Sequence, residues 1–484
     1  MSDILFQYRN ATSCKIIASQ HVVMELHARY KFRPEGFQFN PKYKAGIWSG
    51  WIELINRDGT CPVGLVPDVM RFAIESGYSC KVSQEFSEFK AKYTFDQKEL
   101  DLPFELRDYQ VTAIQRALDK KRQILLLATS AGKSVVMYAL TRIFAGKTLV
   151  IVPNVSLISQ IESDYKAYST KNGWSVDDNC SFIFAGQDKN VNKPITISTW
   201  QSIYNIKDDN WFRQFDNVIV DEVHLASSAS LVSIMQRCTN AFFRVGVSGT
   251  LDKSKTNEMS LIANFGPVHR IVSAKQLMDD GHVTKAIVKP IILVYPEKVC
   301  KPIRGLPYDD ELDVVVKSKS RNQFLVNFAN SLEGNSLFLF RFVDKHAEVV
   351  KQALVESGTK KTVHIISADT PKDVRENLRK LVEETNDNII ISTYALFSTG
   401  VSINNLHHVV FASPTKSSVK VLQSIGRSLR KHSSKALATI WDIVDDYRGK
   451  FETKNYLFKH FEERLQCYLS EQFEVSVKEI KIGT

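Results

Sequence analysis

Short, continuous apolar runs alternate with helical-period stretches over most of the chain. Between residues 101 and 270 the runs are ILLLA (124–128), TLVIV (148–152), SFIFA (181–185), ITIST (195–199), NVIV (217–220) and RVGVSG (244–249). A strand that is apolar at every position has both faces buried, as in a parallel sheet covered by helices on each side. After a connector at about 271–290 the pattern repeats with SLFLF (336–340), TVHIIS (362–367), NIIIST (388–393), HHVVFAS (407–413) and LATIWDIV (437–444). The pattern predicts an α/β fold with two tandem parallel-sheet domains and a cleft between them. The first hundred residues mix short strand-like and helical patterns, punctuated at RPEG (33–36), NPKYKAG (40–46), NRDG (56–59) and CPVG (61–64), and predict a small α+β domain. Near the end, Leu457, Phe461, Leu465 and Tyr468 or Leu469 recur at helical spacing and predict a terminal helix packed on the second sheet. The expected division is 1–100, 101–280 and 281–484.

Composition narrows the class without naming a chemistry. At 484 residues the chain has room for about three domains. Its 44% hydrophobic and 24% charged residues are ordinary for a soluble protein, and no apolar run nears the roughly 18 residues that span a bilayer. The opening MSDILFQYRNATSCK is polar where a secretory signal needs its apolar core, so a cytoplasmic location is expected and no membrane partner. Cys14, Cys61, Cys80, Cys180, Cys238, Cys300 and Cys467 are scattered and never in a C-x-x-C pair, which argues against both a disulfide framework and a zinc site.

A net charge of +10 favours a polyanionic partner, although solubility alone would also account for it. The distribution says more. Residues 413–435 carry six Lys/Arg and no acid, and residues 29–44 (RYKFRPEGFQFNPKYK) carry five basic residues, one acid and five aromatics. Arg29, Lys31, Arg33, Lys42 and Lys44 are candidate phosphate contacts. The interleaved Tyr30, Phe32, Phe37, Phe39 and Tyr43 are either stacking surfaces or core, and Trp48 and Trp51 could serve either purpose.

The candidate chemistry begins at ATSAGKS (128–134), which follows a strand-like run and opens a helical one. Backbone N–H groups of such a turn and of a helix's first residues converge on phosphate oxygens. Thr129, Ser130, Ala131 and Gly132 would form the turn, Lys133 would reach the β/γ-phosphates and Ser134 would hold Mg²⁺. The full phosphate-loop pattern has a glycine where this chain has Leu127. Downstream, FDNVIVDEVH (215–224) ends a strand in Asp221 and Glu222. Ligands of open α/β sheets gather at strand carboxyl ends, so both acids emerge beside the loop, Asp221 for Mg²⁺ and Glu222 for the attacking water.

In this order the motifs resemble those of superfamily 2 helicases. Gln110 in ELRDYQ matches the glutamine that recognises adenine in that family, ATSAGKS its motif I, and DEVH its motif II. LVIVPNVSLISQ (149–160) and ISTWQS (197–202) are similar to motifs Ia and Ib, which line the nucleic-acid path in relatives, and VSGT (247–250) to motif III, where Ser248 and Thr250 relay nucleotide state. LFLFRFVDKH (337–346), STGVSI (398–403) and QSIGRSLRK (423–431) are similar to motifs IV, V and VI. The last match implies catalytic roles for Gln423, Arg427 and Arg430, the arginines as fingers from the second domain. Within the superfamily, FNPKYKAGIWSGWIEL (39–54), NLHHVV (405–410) and ATIWDIVDD (438–446) resemble the UvsW family of recombination and repair helicases of T4-like bacteriophages, over nearly the full length.

The resemblance implies tandem RecA-like domains and a small N-terminal DNA-binding domain, with ATP and Mg²⁺ as cofactors. Its partner would be branched or single-stranded DNA, with RNA–DNA hybrids as a further class, and the protein a monomer in the host cytoplasm. The activity it implies is ATP-dependent unwinding and branch migration of forks, four-way junctions and R-loops. Thr199, Trp200, Thr399 and Lys416 are candidate contacts to the nucleic-acid track, Trp200 having packed core as its alternative. Two other readings fit the same motifs: a duplex translocase that does not separate strands, and a clamp that uses ATP only as a switch.

Overall fold

Period-two alternation in β1 (Ile4–Tyr8) and β2 (Ser13–Ala18) buries Ile4, Phe6, Cys14 and Ile16 on one face of an antiparallel pair. β3 (Lys31–Phe32) and β4 (Ile52–Glu53) make a separate two-residue ladder, while β5 (Thr60–Pro62) and β6 (Cys80–Val82) complete the main sheet in the order β5-β2-β1-β6. The helices Gln20–Arg29 and Val66–Glu75 cover it with Val22, Val23, Leu26, Val69 and Ala73. The computed structural model describes residues 2–34, 36–86, 93–184, 186, 189–227, 229–251, 255–399, 403–449 and 455–483. It divides into two compact units, Met1–Leu127 with Ala131–Val272 and Ala128–Ser130 with Ser273–Thr484, and this sheet belongs to the first.

The rest of the first unit is a seven-stranded, all-parallel sheet. Its strands are β7 (Arg122–Leu127), β8 (Thr148–Val152), β9 (Cys180–Ile183), β10 (Ile195–Thr199), β11 (Asn217–Asp221), β12 (Phe243–Ser248) and β13 (Val268–Val272), in the order β13-β7-β12-β11-β8-β10-β9. The first six coincide with the apolar runs of the sequence. β13 does not, because His269 and Arg270 interrupt it, which an edge strand tolerates with one side unpaired.

The N-terminal domain is fastened to this sheet at backbone level. Ala11 donates its N–H to the Thr239 carbonyl at 2.9 Å, and the buried Arg122 guanidinium donates to the carbonyl oxygens of Ala11 and Ala241. Ala263, Met259 and Ile262, on the helix Lys255–Phe265, share the N-terminal domain's core with Leu65 and Val66. The approach is close enough that a Cβ on Gly64 would strike the carbonyl oxygens of Ile262 and Ala263.

The second unit is another all-parallel sheet, built from β14 (Lys285–Val294), β15 (Ser336–Phe340), β16 (Thr362–Ile366), β17 (Asn388–Thr393), β18 (His408–Phe411), β19 (Leu437–Asp446), β20 (Glu474–Val475) and β21 (Lys478–Lys481). The order is β16-β17-β15-β18-β19-β14-β20, with β21 also on β14. The connector expected at 271–290 is therefore corrected: from Lys285 the chain is already an interior strand. Pro290 is what hides β14, since proline in a run argues against a central strand. It fits because β20 pairs with Ile287 and Val288 and β21 with Ile291 to Val294, leaving Pro290 between the two registers, where no N–H is required.

β19 is pinned from both faces. Asp442 accepts two hydrogen bonds from Arg464 of the terminal helix Tyr456–Ser470 (2.8 and 2.9 Å) and one from Tyr468 (2.8 Å). Three residues on, Asp445 pairs with Arg321 of the helix Lys319–Ser331 at 2.8 Å. The terminal helix packs Leu457, Phe461 and Tyr468 inward as the sequence spacing predicts, and Leu469 faces solvent. No helix among the described residues is long and apolar enough to cross a membrane.

Removing one member of a buried pair strands the other, at a cost of about 3–5 kcal/mol. Arg464→Leu is therefore expected to destabilise the second unit by about that amount in denaturant titration, and Arg464→Leu/Asp442→Leu to recover most of the loss. Equal destabilisation in the single and double variants would contradict the assignment.

Candidate active site

Three neighbouring strands end at one level: Asp221 of β11 is in register with Val247 of β12, and Ser248 with Leu126 of β7. The loops leaving these strands are therefore delivered to one place. After β7 the chain turns through Ser130 (φ 69°) and Gly132 (φ 82°), both left-handed, and enters the helix Lys133–Ile143. No side chain caps that helix, so its first N–H groups point from the turn towards any bound anion.

Gln110 braces the turn. Its Nε2 donates to the Ala131 carbonyl at 2.8 Å and its Oε1 accepts from the Arg107 N–H at 3.0 Å. A Cβ at position 132 would lie 2.5 Å from the Gln110 amide nitrogen, so both the contact and the positive φ require Gly132. Ala131 is fully buried, and Thr129 and Ser130 lie half-exposed in the loop.

The carboxylates are presented by β11. Glu222 sits at φ 48°, and its N–H donates to Asp221 Oδ1 at 2.9 Å. This turn sends the Glu222 side chain towards Lys133, with Oε1 3.8 Å from Nζ. Its Oε2 lies 3.3 Å from His224 Nδ1 and 3.2 Å from the Ser248 hydroxyl, which are themselves 2.9 Å apart. Burial and the neighbouring Glu222 push the Asp221 carboxyl well above the usual carboxylate range. Burial pushes Glu222 the same way but is overcome by Lys133, His224 and Ser248, which hold it ionised below that range.

Ser134, in the first turn of the helix, shares a 2.8 Å hydrogen bond with Tyr168, whose ring packs edge-on against Phe104 and Tyr138. The motif order identifies Lys133, Ser134, Asp221 and Glu222. Tyr168 and the His224–Ser248 contact emerge only from the fold, since Tyr168 closes the helix Val155–Tyr168 on the far side of β8 in sequence.

The remaining candidates fall into separate groups. On the helix Ser418–Ser428, Gln423 and Arg427 are one turn apart on the same face, and Arg430 comes just after the helix, its carbonyl accepting from Thr284 at 3.2 Å. In the N-terminal domain, Lys31 and Arg33 share the Trp51 ring (4.8 and 4.7 Å), Lys42 and Lys44 are exposed, and Arg29 lies over Phe72 at 3.8 Å. The aromatics divide: Tyr30 is core, with its hydroxyl on Asp68, whereas Phe39 is exposed. Lys416 is exposed after β18.

Of the track candidates, Thr199 is buried with its hydroxyl 2.8 Å from that of Ser202, and Trp200 is partly buried against the core of the first sheet. Residues 400–402 of the STGVSI stretch, and the side chain of Thr399, lie outside the described residues.

Comparison with known proteins finds three family matches along the chain. Residues 3–83 match the family described as DNA helicase UvsW, N-terminal; residues 103–253 match the Type III restriction enzyme res subunit family; residues 319–432 match the helicase conserved C-terminal domain. The ATP-dependent DNA helicase uvsW of Enterobacteria phage T4 is 31% identical, over 99% of this chain and 100% of that protein. The crystal structure of T4 UvsW is similar with a TM-score of 0.50 at 30% identity, covering 99% of both chains. A DNA 3'-5' translocase, XPB2 of Sulfurisphaera tokodaii, is 22% identical over 69% of this chain and 80% of its own length. With its phosphate loop, acidic pair and two parallel sheets, the chain belongs to the UvsW family of superfamily 2 and is an ATP-hydrolysing DNA helicase with tandem RecA-like domains.

Proposed function

We propose that this helicase unwinds and branch-migrates branched DNA, namely forks, four-way junctions and R-loops, in phage recombination, repair and replication. The observation that carries the reading is the backbone-level fastening of the basic N-terminal domain to the first RecA-like sheet, through Ala11, Arg122 and Gly64. A motor core tracks one strand, and a rigidly attached second basic surface can hold an adjacent duplex arm. Branch migration exchanges base pairs almost one for one, so its net cost per step is small beside the mean of about 1.4 kcal/mol for opening a duplex step irreversibly.

The chemistry assigned to each residue comes from its position. Lys133 and the N–H groups of the turn hold phosphates, Gln110 reads adenine while bracing the loop, and Glu222 orients and deprotonates the attacking water. Gln423, Arg427 and Arg430 are assigned to the transferring phosphoryl group, where a finger arginine contributes about 10³–10⁵ in rate. The Ser134 hydroxyl and Asp221 carboxylate are hard oxygen donors of the type Mg²⁺ takes. No group of three or more His, Cys, Asp and Glu among the described residues forms a self-sufficient metal cage, which fits an ion arriving with the nucleotide. Held by Ser134 and Asp221, Mg²⁺ would supply neutralisation of the negative charge on the phosphates. Arg29, Lys31, Arg33, Lys42, Lys44 and Lys416 are assigned to DNA phosphates, contacts that set affinity without reading sequence.

Lys133→Ala and Glu222→Gln are both expected to lower DNA-stimulated ATP turnover by about 10²-fold or more, yet to differ in binding. Lys133 touches the phosphates, so its variant loses nucleotide affinity; the Glu222 variant keeps it. Nucleotide titration by fluorescence distinguishes the two, and equal loss in both would contradict the roles.

The substrate assignment is tested by comparing initial rates on a mobile four-way junction and a blunt linear duplex of equal length, with Lys133→Ala as control. Faster processing of the junction is expected. Faster action on the blunt duplex, or junction movement persisting in the control, would overturn the reading.

A further inference from the structure

The two most exposed large apolar side chains among the described residues are Ile47 (76%) and Phe39 (70%), and they sit close together in sequence. Both belong to a head formed by residues 33–34 and 36–51 that rides on a stem of two antiparallel pairs, Lys31 with Glu53 and Phe32 with Ile52. Among the described residues the head adds no side chain to the N-terminal domain's core cluster, so hydrophobic burial in that domain does not account for it. It is nonetheless stiff. The Arg33 guanidinium lies 4.7 Å from both the Phe37 and Trp51 rings, and Phe37 meets Tyr43 edge-on at 4.9 Å. Gly50 (φ 82°) lets the backbone pass so near Phe37 that a Cβ would come within 2.7 Å of its ring. Trp48 donates from its indole to the Trp51 carbonyl at 2.8 Å, and Asn40 caps the turn Pro41–Lys44 through the Lys42 N–H.

Exposing two large apolar groups on a rigid head is unfavourable unless something covers them. The charges around them identify what. Lys42 and Lys44 are exposed beside Phe39 and Ile47, and Arg33 is exposed on the same head, so the occupant is anionic at its edges and apolar where the tips enter. DNA presents that pattern at a base step, with phosphates flanking stacked bases. Apolar side chains inserted at such steps unstack them, at a cost that is lowest where the stack is already interrupted. A branch point is such an interruption.

We propose that the head enters DNA at the branch point, with Phe39 and Ile47 against unstacked bases and Lys42, Lys44 and Arg33 on the flanking phosphates. The inference rests on the branched-substrate reading above and adds to phosphate binding a contact that recognises an interrupted stack. The N-terminal domain that carries the head is fastened to the first RecA-like sheet at Ala11 and Gly64, so the wedge would travel with that sheet as the motor draws DNA past it.

The test uses the full-length protein and a four-way junction carrying 2-aminopurine beside the branch. Wild type is expected to raise the fluorescence on binding, reporting unstacking. Phe39→Ser/Ile47→Ser is expected to abolish the rise and weaken junction affinity by about tenfold, the scale of one lost base-stacking contact. Its slope of log affinity against log salt should stay at the wild-type value, because phosphates are still engaged. Lys42→Ala/Lys44→Ala is expected to do the converse, lowering the slope by about 1 per lysine and keeping the rise at saturation. An unchanged thermal midpoint shows that each variant is folded. Unaltered fluorescence and affinity in the Phe39/Ile47 variant would overturn the proposal, as would an equal loss of affinity for blunt duplex; either would assign the tips to a protein partner or to no partner. Junction movement by wild type without a fluorescence rise overturns the insertion alone. Failure to move junctions at all overturns the branched-substrate reading with it.

Discussion

The first unit is organised around one buried cluster in which a lysine and two carboxylates must coexist at the ends of adjacent parallel strands. Lys133 and Glu222 are 3.8 Å apart and both largely buried, and Asp221 lies one residue away with its carboxyl pushed up by that burial. A cluster of this kind is stable only if the geometry is held from several sides, since a buried charge without a partner costs several kcal/mol. The holding is visible. Gln110 fixes the Ala131 carbonyl, His224 and Ser248 fix the second oxygen of Glu222, and Ser130, Gly132 and Glu222 accept left-handed backbone that few residues adopt willingly. Lys133 has one charge to share. On the proposed reading, nucleotide phosphates compete with Glu222 for it, which couples filling of the site to the state of the group that acts on water.

The same economy explains why the N-terminal domain is docked rather than tethered. Arg122 opens β7, the strand that ends in the phosphate loop, and its guanidinium closes on the Ala11 carbonyl of the N-terminal domain. The helix Lys255–Phe265, which precedes β13 at the sheet's edge, shares that domain's core. The N-terminal domain is thus fastened to the strand that leads into the nucleotide loop. In the second unit, β19 plays the corresponding stiffening part, tied by Asp442 and Asp445 to helices on opposite faces.

Much of this was legible in the sequence where burial writes itself as composition. β7 is buried at every position, and so are β8, β10 and β15; ILLL in β7, LVIV in β8 and LFLF in β15 read as apolar runs, and β10 shows itself by the isoleucines of ITIST. The strands that escaped notice are those whose burial is partial or whose hydrogen bonding is irregular: β13 with His269 and Arg270, β14 with Pro290, and the short β20 and β21. At the site, Lys133, Asp221 and Glu222 were identifiable because their order and spacing are imposed by strand, turn and helix. Tyr168 on Ser134 and Gln110 on Ala131 were not, because they depend on how helices fold back over the sheet. Thr199 and Trp200 show what a motif position at a strand end leaves open: Thr199 is buried and Trp200 partly buried, which depends on local packing that the spacing does not encode.

A buried lysine–carboxylate site that hydrolyses ATP in response to bound DNA should show itself in the rate of turnover. The most direct measurement is the steady-state ATPase rate across single-stranded, duplex, forked, four-way and RNA–DNA hybrid substrates at fixed salt. A low rate without nucleic acid and the largest stimulation on forked and four-way DNA are expected. A rate indifferent to nucleic acid, or greatest on unbranched duplex, would contradict that expectation.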